Sequence, residues 1–302
     1  MATNLLRQVC KPIGKTTMGM KIIECPRDAM QGIKEHIPTP LKAAYLNALL
    51  GVGFDTLDFG SFVSPRAIPQ MADTREVLSM LDLSETKSKL LAIVANVRGA
   101  RDACQFPEIR YLGYPFSISE TFQLRNTRKT IAQSLEIVKE IQDMCVSHDK
   151  ELVVYLSMAF GNPYADEWSA EIVEKWAEVM AELGVGVLSL ADTVGTADAS
   201  SIEYLFSRLI PRFPKVEIGA HFHSNPTSRK EKLAAAYAHG CRRFDTALNG
   251  FGGCPFAKDE LVGNIATESL IAFCTESQIP LSIKTSELAA AMALANEVFA
   301  YH

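Results

Sequence analysis

The chain has 302 residues, 48% hydrophobic and 22% charged, with 30 basic against 35 acidic side chains. That apolar fraction excludes intrinsic disorder, and the length excludes a disulfide-stapled miniprotein; there is enough chain for one large domain or two ordinary ones, each with a core. A net charge of −5 carries no basic excess, so no nucleic acid and no anionic membrane is expected as a partner.

Seven cysteines run from Cys10 to Cys274 without a Cys-x-x-Cys pair, which suits a reducing compartment better than a disulfide framework or zinc ribbon. No apolar run approaches the ~18 residues that would span a bilayer. The N-terminus, MATNLLRQVCKPIGK, lacks the apolar stretch of a secretory signal. The expected location is cytoplasmic.

Along the chain, a short apolar β-rich segment, a polar loop and a longer helical segment alternate. A strand is predicted at Lys21–Glu24 and a helix at Pro40–Leu50, then strand Thr56–Phe59 and helix Thr74–Leu81. Strand Leu91–Ala95 precedes helix Gly99–Gln105, and strand Ile109–Leu112 precedes one long amphipathic helix, Arg125–His148. Strand Glu151–Leu156 leads to helix Ser169–Leu183, where Ser169 reads as the N-cap and Ile172, Val173, Trp176 and Val179 keep a helical period. Strands Val187–Ala191, Val216–Ala220 and Arg243–Thr246 follow, with helices Ser201–Phe213, Lys230–His239 and Thr267–Cys274. Eight strand-then-helix units match a (β/α)8 TIM barrel. A doubly wound sheet would want a Gly-x-Gly-x-x-Gly turn after the first strand, where Glu24-Cys25-Pro26-Arg27 stands instead. The expected architecture is therefore a barrel over residues 1–275 and a C-terminal extension, 276–302, whose Ala-rich Ser286–Ala300 adds an extra helix outside it.

Barrel chemistry belongs at the C-terminal ends of the strands. There the sequence turns polar, with Arg27-Asp28 after strand one, Asp58 on strand two, Asp192-Thr193 ending strand six and His221-Phe222-His223 ending strand seven. After strand eight comes Gly250-Phe251-Gly252-Gly253-Cys254-Pro255, whose glycines let a loop open and close over the mouth. Residues i and i+2 of a strand face the same way, so His221 and His223 can share one ion. A set of two imidazoles, a carboxylate and an amide oxygen favours a divalent ion such as Mg2+ or Mn2+ with open positions.

These residues, with CPRDAMQ (Cys25–Gln31), SFVSPRAIPQMAD (Ser61–Asp73), SISETFQLRN (Ser117–Asn126), LADTVGTAD (Leu190–Asp198), AHFH (Ala220–His223) and GGCPFAKDELVGNIATE (Gly252–Glu268), resemble the DRE-TIM metallolyases and, within them, the 3-hydroxy-3-methylglutaryl-CoA lyases. The resemblance runs from about Lys21 to Cys274 in six ordered blocks. It implies a metal-dependent retro-Claisen cleavage of a 3-hydroxyacyl-CoA to acetyl-CoA and a ketone. The small-molecule partner would be that acyl-CoA, and the expected assembly is a homodimer. Carried over by position, Asp28, His221, His223 and Asn264 would be the metal ligands, and Arg27 would stabilise the enolate oxygen. Asp58 stands where these lyases usually have glutamate, and Asp192 matches the aspartate of an LGDT-type motif. Cys254 matches a mobile-loop cysteine that protonates the acetyl enolate. The catalytic set so implied is Arg27, Asp28, Asp58, Asp192, His221 and Cys254.

Three departures stand out. Ser224 replaces an aspartate that commonly follows the His-x-His, Asp58 is a methylene shorter than glutamate, and the stretch from Cys254 to Asn264 is one residue longer. Two other functions compete with the lyase. One is a carboligase or aldolase on the same barrel, although the short tail after Cys274 leaves no room for the added domain of isopropylmalate-type synthases. The other is a non-catalytic barrel. Cys254 separates the first pair, since a thioester enolate needs an acid, and metal content separates the third.

Overall fold

The structure, a computed structural model, describes residues 19–252 and 262–301. Eight parallel strands lie in the order β6-β5-β4-β3-β2-β1-β8-β7, and β6 pairs with β7 to close the barrel. They are β1 Lys21–Glu24, β2 Thr56–Ser61, β3 Lys89–Ile93, β4 Ile109–Ser117, β5 Glu151–Ser157, β6 Val187–Asp192, β7 Glu217–Ser224 and β8 Arg243–Thr246. Parallel strands covered by helices read as near-continuous apolar runs, which is why all eight sit close to their predicted positions. A ninth, two-residue strand, β9 (Gly263–Asn264), runs antiparallel to β7 and sets Asn264 beside His223.

Eleven helices are described: α1 Pro26–Met30, α2 Thr39–Val52, α3 Thr74–Ser79, α4 Val97–Cys104, α5 Glu120–Thr127, α6 Ile131–Ser147, α7 Ala170–Glu182, α8 Ala199–Arg212, α9 Arg229–Ala238, α10 Thr267–Glu276 and α11 Thr285–Phe299. The expected single helix over Arg125–His148 is two. Arg128 adopts a left-handed conformation (φ 58°) that ends α5, and α6 restarts on a capping box in which Thr130 and Gln133 satisfy each other's backbone N–H groups. Ser169 caps α7 as expected, accepting from the Ile172 N–H, and Val173, Ala177 and Met180 turn inward at helical spacing. Helix α1 is an addition that five residues of sequence did not reveal; Pro26 in its first turn needs no hydrogen-bonding N–H there.

Helix α11 packs against α2, burying Ala291, Ala295, Val298 and Phe299. Phe299 meets the edge of Tyr45 at 6.1 Å and stacks on Phe251, at the barrel mouth, at 4.2 Å. Among the described residues no helix is long and apolar enough to cross a membrane, and the five described cysteines are all buried and free.

The barrel interior has two chemically different halves. Leu91, Ile93, Tyr111, Val153, Tyr155 and Val187 form an apolar cluster separate from the larger core between strands and helices. On β7, β8 and β2 the inward positions are His221, Arg243, Asp245 and Asp58. Arg243 is fully buried, its side chain lying across Gly219, where a Cβ would sit only 2.9 Å from the arginine Cδ.

Candidate active site

Because α1 begins immediately after β1, Arg27 and Asp28 sit over the barrel mouth. Arg27 is buried and bridges α1 to β2. Its Nε donates to both Asp58 oxygens (3.2 and 3.0 Å), its Nη2 to Asp58 Oδ2 (2.5 Å) and its Nη1 to Asp28 Oδ1 (3.0 Å). A guanidinium has five N–H donors, so each terminal nitrogen keeps one for a further oxygen. Burial raises the Asp58 carboxyl to about 6 despite Arg27, with Asp28 and Asp245 adding to the rise. Burial also opposes the Asp28 charge, but Arg27, both histidines and Asn264 outweigh it and hold Asp28 below its ordinary value. Two neighbouring carboxylates are thus pushed apart, a pattern that marks working sites.

Strand alternation puts His221 and His223 on one face, while Phe222 between them packs outward on Phe160 and Phe206. Each ring is oriented through Nδ1. His221 Nδ1 lies 3.1 Å from Asp245 Oδ2, and His223 Nδ1 lies 2.9 Å from the Thr193 carbonyl oxygen. Both acceptors require an Nδ1–H, which leaves the Nε2 lone pairs free. For His221, burial disfavours the charged ring, yet Asp245 more than compensates and raises it; for His223, burial and then His221 lower it.

The donor atoms of Asp28, His221 and His223 lie within 4.8 Å of one another. His223 Nε2 is buried and has no hydrogen-bond partner. A buried lone pair aimed at an imidazole and a carboxylate costs free energy unless something binds it, and a divalent cation fits that donor set. Asn264 joins the group through its Nδ2, which donates to Asp28 Oδ2 (2.8 Å) and to the Phe251 carbonyl (2.9 Å). Here the amide therefore tethers Asp28 with its nitrogen, and a half-turn would present its oxygen. Gly252 makes this approach possible. At φ 86° it lies so close that a Cβ would be 2.8 Å from both Ala29 Cα and Asn264 Nδ2.

Arg27, Asp28, Asp58, His221, His223 and Asn264 thus converge. Asp192 is held differently: Oδ2 accepts from Lys232 Nζ (2.6 Å) and Oδ1 from the Ala197 N–H (3.1 Å), so both oxygens are engaged by the protein. Lys232, on α9 and 2% exposed, also donates to the His223 carbonyl (2.8 Å) and the Gly195 carbonyl (3.1 Å). It pins the end of β6 to the end of β7. Ser224, where an aspartate was expected from the resemblance, is buried with no partner on its hydroxyl. Cys254 and Gly253 lie outside the described residues.

Four contributors escaped the sequence reading: Asp245 behind His221, Gln31 (Nε2 to Asp28 Oδ1, 2.8 Å), Lys232, and Glu24. Glu24 accepts from Leu248 N–H (2.7 Å) and Thr267 Oγ1 (2.5 Å), and burial raises it to about 8. A signal for Asp245 existed. Arg243 and Asp245 alternate on β8, so charges share one face of a barrel strand.

Comparison with known proteins gives the family. The HMGL-like family model matches residues 20–295. The hydroxymethylglutaryl-CoA lyase YngG of Bacillus subtilis is 32% identical over 266 residues, 88% of each chain. The (R)-citramalyl-CoA lyase of Chloroflexus aurantiacus is 31% identical over 275 residues, covering 88% of this chain and 86% of its own. An HMG-CoA lyase of A. baumannii, solved with coenzyme A and 3-methylmalate, superposes with a TM-score of 0.86 at 30% identity, covering 95% of this chain and 93% of that one. A family match over nearly the whole chain and similarity of this extent have one reading: the chain belongs to the HMGL-like family and is a carbon–carbon lyase.

Proposed function

We propose that the enzyme cleaves a tertiary 3-hydroxyacyl-CoA, hydroxymethylglutaryl-CoA or a close relative, to acetyl-CoA and a ketone. The observation that carries this reading is the convergence of Asp28, His221 and His223 beside a buried arginine with N–H groups to spare. Asp28, His221, His223 and Asn264 would hold Mg2+ or Mn2+, supplying when bound a Lewis acid for the substrate hydroxyl. Cysteine usage supports a cytoplasmic setting, and a homodimer carries over from the resemblance alone.

In the cleavage, the tertiary hydroxyl loses its proton and its oxygen becomes the ketone. The adjacent C–C bond breaks, its electrons pass to the thioester enolate, and that carbon takes a proton. Asp28 is the group placed to accept the hydroxyl proton, since the His221 ring turns its Nδ1–H to Asp245 and would give its one lone pair to the ion. Arg27 directs its remaining N–H groups at the enolate oxygen, and Asp58 keeps the guanidinium from swinging away. Asp192 acts at one remove, through Lys232 and the strand ends. Cys254 gives its own thiol proton to the enolate carbon and is left as a thiolate to be reprotonated from solvent, a role resting on the match of Gly252–Glu268 to the loop motif.

The test is incubation with Mg2+ or Mn2+ and a panel of 3-hydroxyacyl-CoAs that includes the hydroxymethylglutaryl and citramalyl thioesters. Acetyl-CoA and the matching ketone are the expected products by mass spectrometry. Absence of acetyl-CoA from every tertiary substrate would overturn the reading.

A further inference from the structure

His221 belongs to two donor groups. One is the set with Asp28 and His223; the other joins it to Cys25 and Asp245, with a sulfur, a nitrogen and a carboxylate oxygen again within 4.8 Å of one another. This second group is deeper. Cys25 is 1% exposed and Asp245 2%, and Cys25 sits at the turn between β1 and α1. An independent observation points to a ligand there. Asp245 Oδ1 is buried without any hydrogen-bond partner, as is Tyr155 Oη, which lies in electrostatic range of both Asp245 and Cys25; the buried Arg243 guanidinium lies in range of Asp245 and Tyr155 but hydrogen-bonds neither. The thiol's own contact is a long one, 3.6 Å to the Ile23 carbonyl.

We infer that Cys25, His221 and Asp245 form a second metal site, selective for a soft divalent ion such as Zn2+ or Cd2+, whose occupation switches off the Asp28–His221–His223 centre. Thiolate sulfur selects soft ions, whereas the carboxylate, amide and imidazole set above it suits Mg2+ or Mn2+. The two sites compete through the imidazole. A neutral ring has one lone-pair nitrogen. At present His221 keeps its proton on Nδ1, facing Asp245, and offers Nε2 upward. A soft ion bound on the Asp245 side takes Nδ1, the ring proton moves to Nε2, and the upper centre loses a ligand. The Cys25 thiol gives its proton to solvent as the sulfur–metal bond forms, so charge and atoms balance without an oxidant.

The competition rests on the proposed upper centre, whereas the deep site does not, and the experiment separates the two. Cd2+ is titrated into the metal-free full-length protein carrying Cys254→Ala, so that no thiol in that loop contributes. A thiolate-to-cadmium charge-transfer absorption saturating at one ion per chain is expected. It should vanish when Cys25→Ala or Cys25→Ser is added, with the circular dichroism spectrum unchanged in at least one of the two. In parallel, the release of bound Mn2+ by Cd2+ is followed by electron paramagnetic resonance. Loss of Cys25 should raise the Cd2+ needed by on the order of 10–100-fold, the loss that even an outer partner of a metal ligand causes. An absorption that survives removal of Cys25 overturns the site. Equal release of Mn2+ with and without Cys25 overturns the competition. Failure of the parent protein to bind Mn2+ would count against the upper centre and leave the absorption reading intact.

Discussion

The two halves of the barrel interior carry the same kind of strand but opposite chemistry. On β3 to β6, Leu91, Ile93, Tyr111, Val153, Tyr155 and Val187 fill space. On β7, β8 and β2, His221, Asp245 and Asp58 face the axis, with Arg243 below. The apolar half gains stability from close packing, which any well-shaped set of side chains could supply. The polar half pays a desolvation cost for every charge and offsets it only where partners meet, as at Arg27–Asp58; outside the barrel, Lys232–Asp192 follows the same rule. His223 Nε2 and Asp245 Oδ1 are left without partners, and both lie in donor groups that a cation fits.

Substitutions on the two sides should separate stability from metal binding. The largest effect is expected at Lys232. Lys232→Met leaves Asp192 charged and buried, which costs about 3–5 kcal/mol and should also weaken Mn2+ binding, because the His223 carbonyl loses its anchor. Adding Asp192→Asn should recover most of the melting temperature without restoring the affinity. Full recovery of both would make Lys232 a charge partner and nothing more.

Leu91→Ala, on the apolar half, should cost about 2–5 kcal/mol by urea denaturation while leaving Mn2+ affinity unchanged. A parallel loss of metal would erase the distinction between the halves. Arg27→Gln strips buried Asp58 of its partner and should lower the melting temperature, but its kinetics test the chemistry: kcat should fall on the order of 10²–10³-fold with KM little changed, the signature of a group acting on the transition state. A change confined to KM would make Arg27 a substrate anchor.

Much of this was legible beforehand because parallel strands and a His-x-His strand end leave local signatures. The barrel, both histidines, Arg27 and Asp28 needed only the rule that chemistry gathers at strand C-termini. What could not be read is set by contacts between distant segments. Asp245 meets His221 through the β7–β8 register, and Lys232 reaches Asp192 from a helix 40 positions on. The break between α5 and α6 was written locally, in the Thr130–Gln133 capping box, but the amphipathic pattern running across it hid the signal.

The smallest effect sharpens the comparison from beneath the site. Burial raises Glu24 from its ordinary 4.5 to about 8, so the folded state binds its proton more tightly than the unfolded chain does. Its contribution to stability is complete below pH 4.5 and is lost as pH rises through about 8. Between pH 7 and 8 the loss is about 1 kcal/mol. Glu24→Gln should flatten that decline in a series of melts across pH, and an unchanged slope would assign the decline to another group.

The most direct test of the account is Mn2+ binding to His223→Ala, followed by electron paramagnetic resonance alongside a thermal melt. The parent protein should bind one ion. The variant should lose that ion and every trace of lyase turnover, while its melt stays cooperative and gives up no more than the Thr193 hydrogen bond and the volume of the ring account for. Undiminished Mn2+ binding by His223→Ala would contradict the proposed centre.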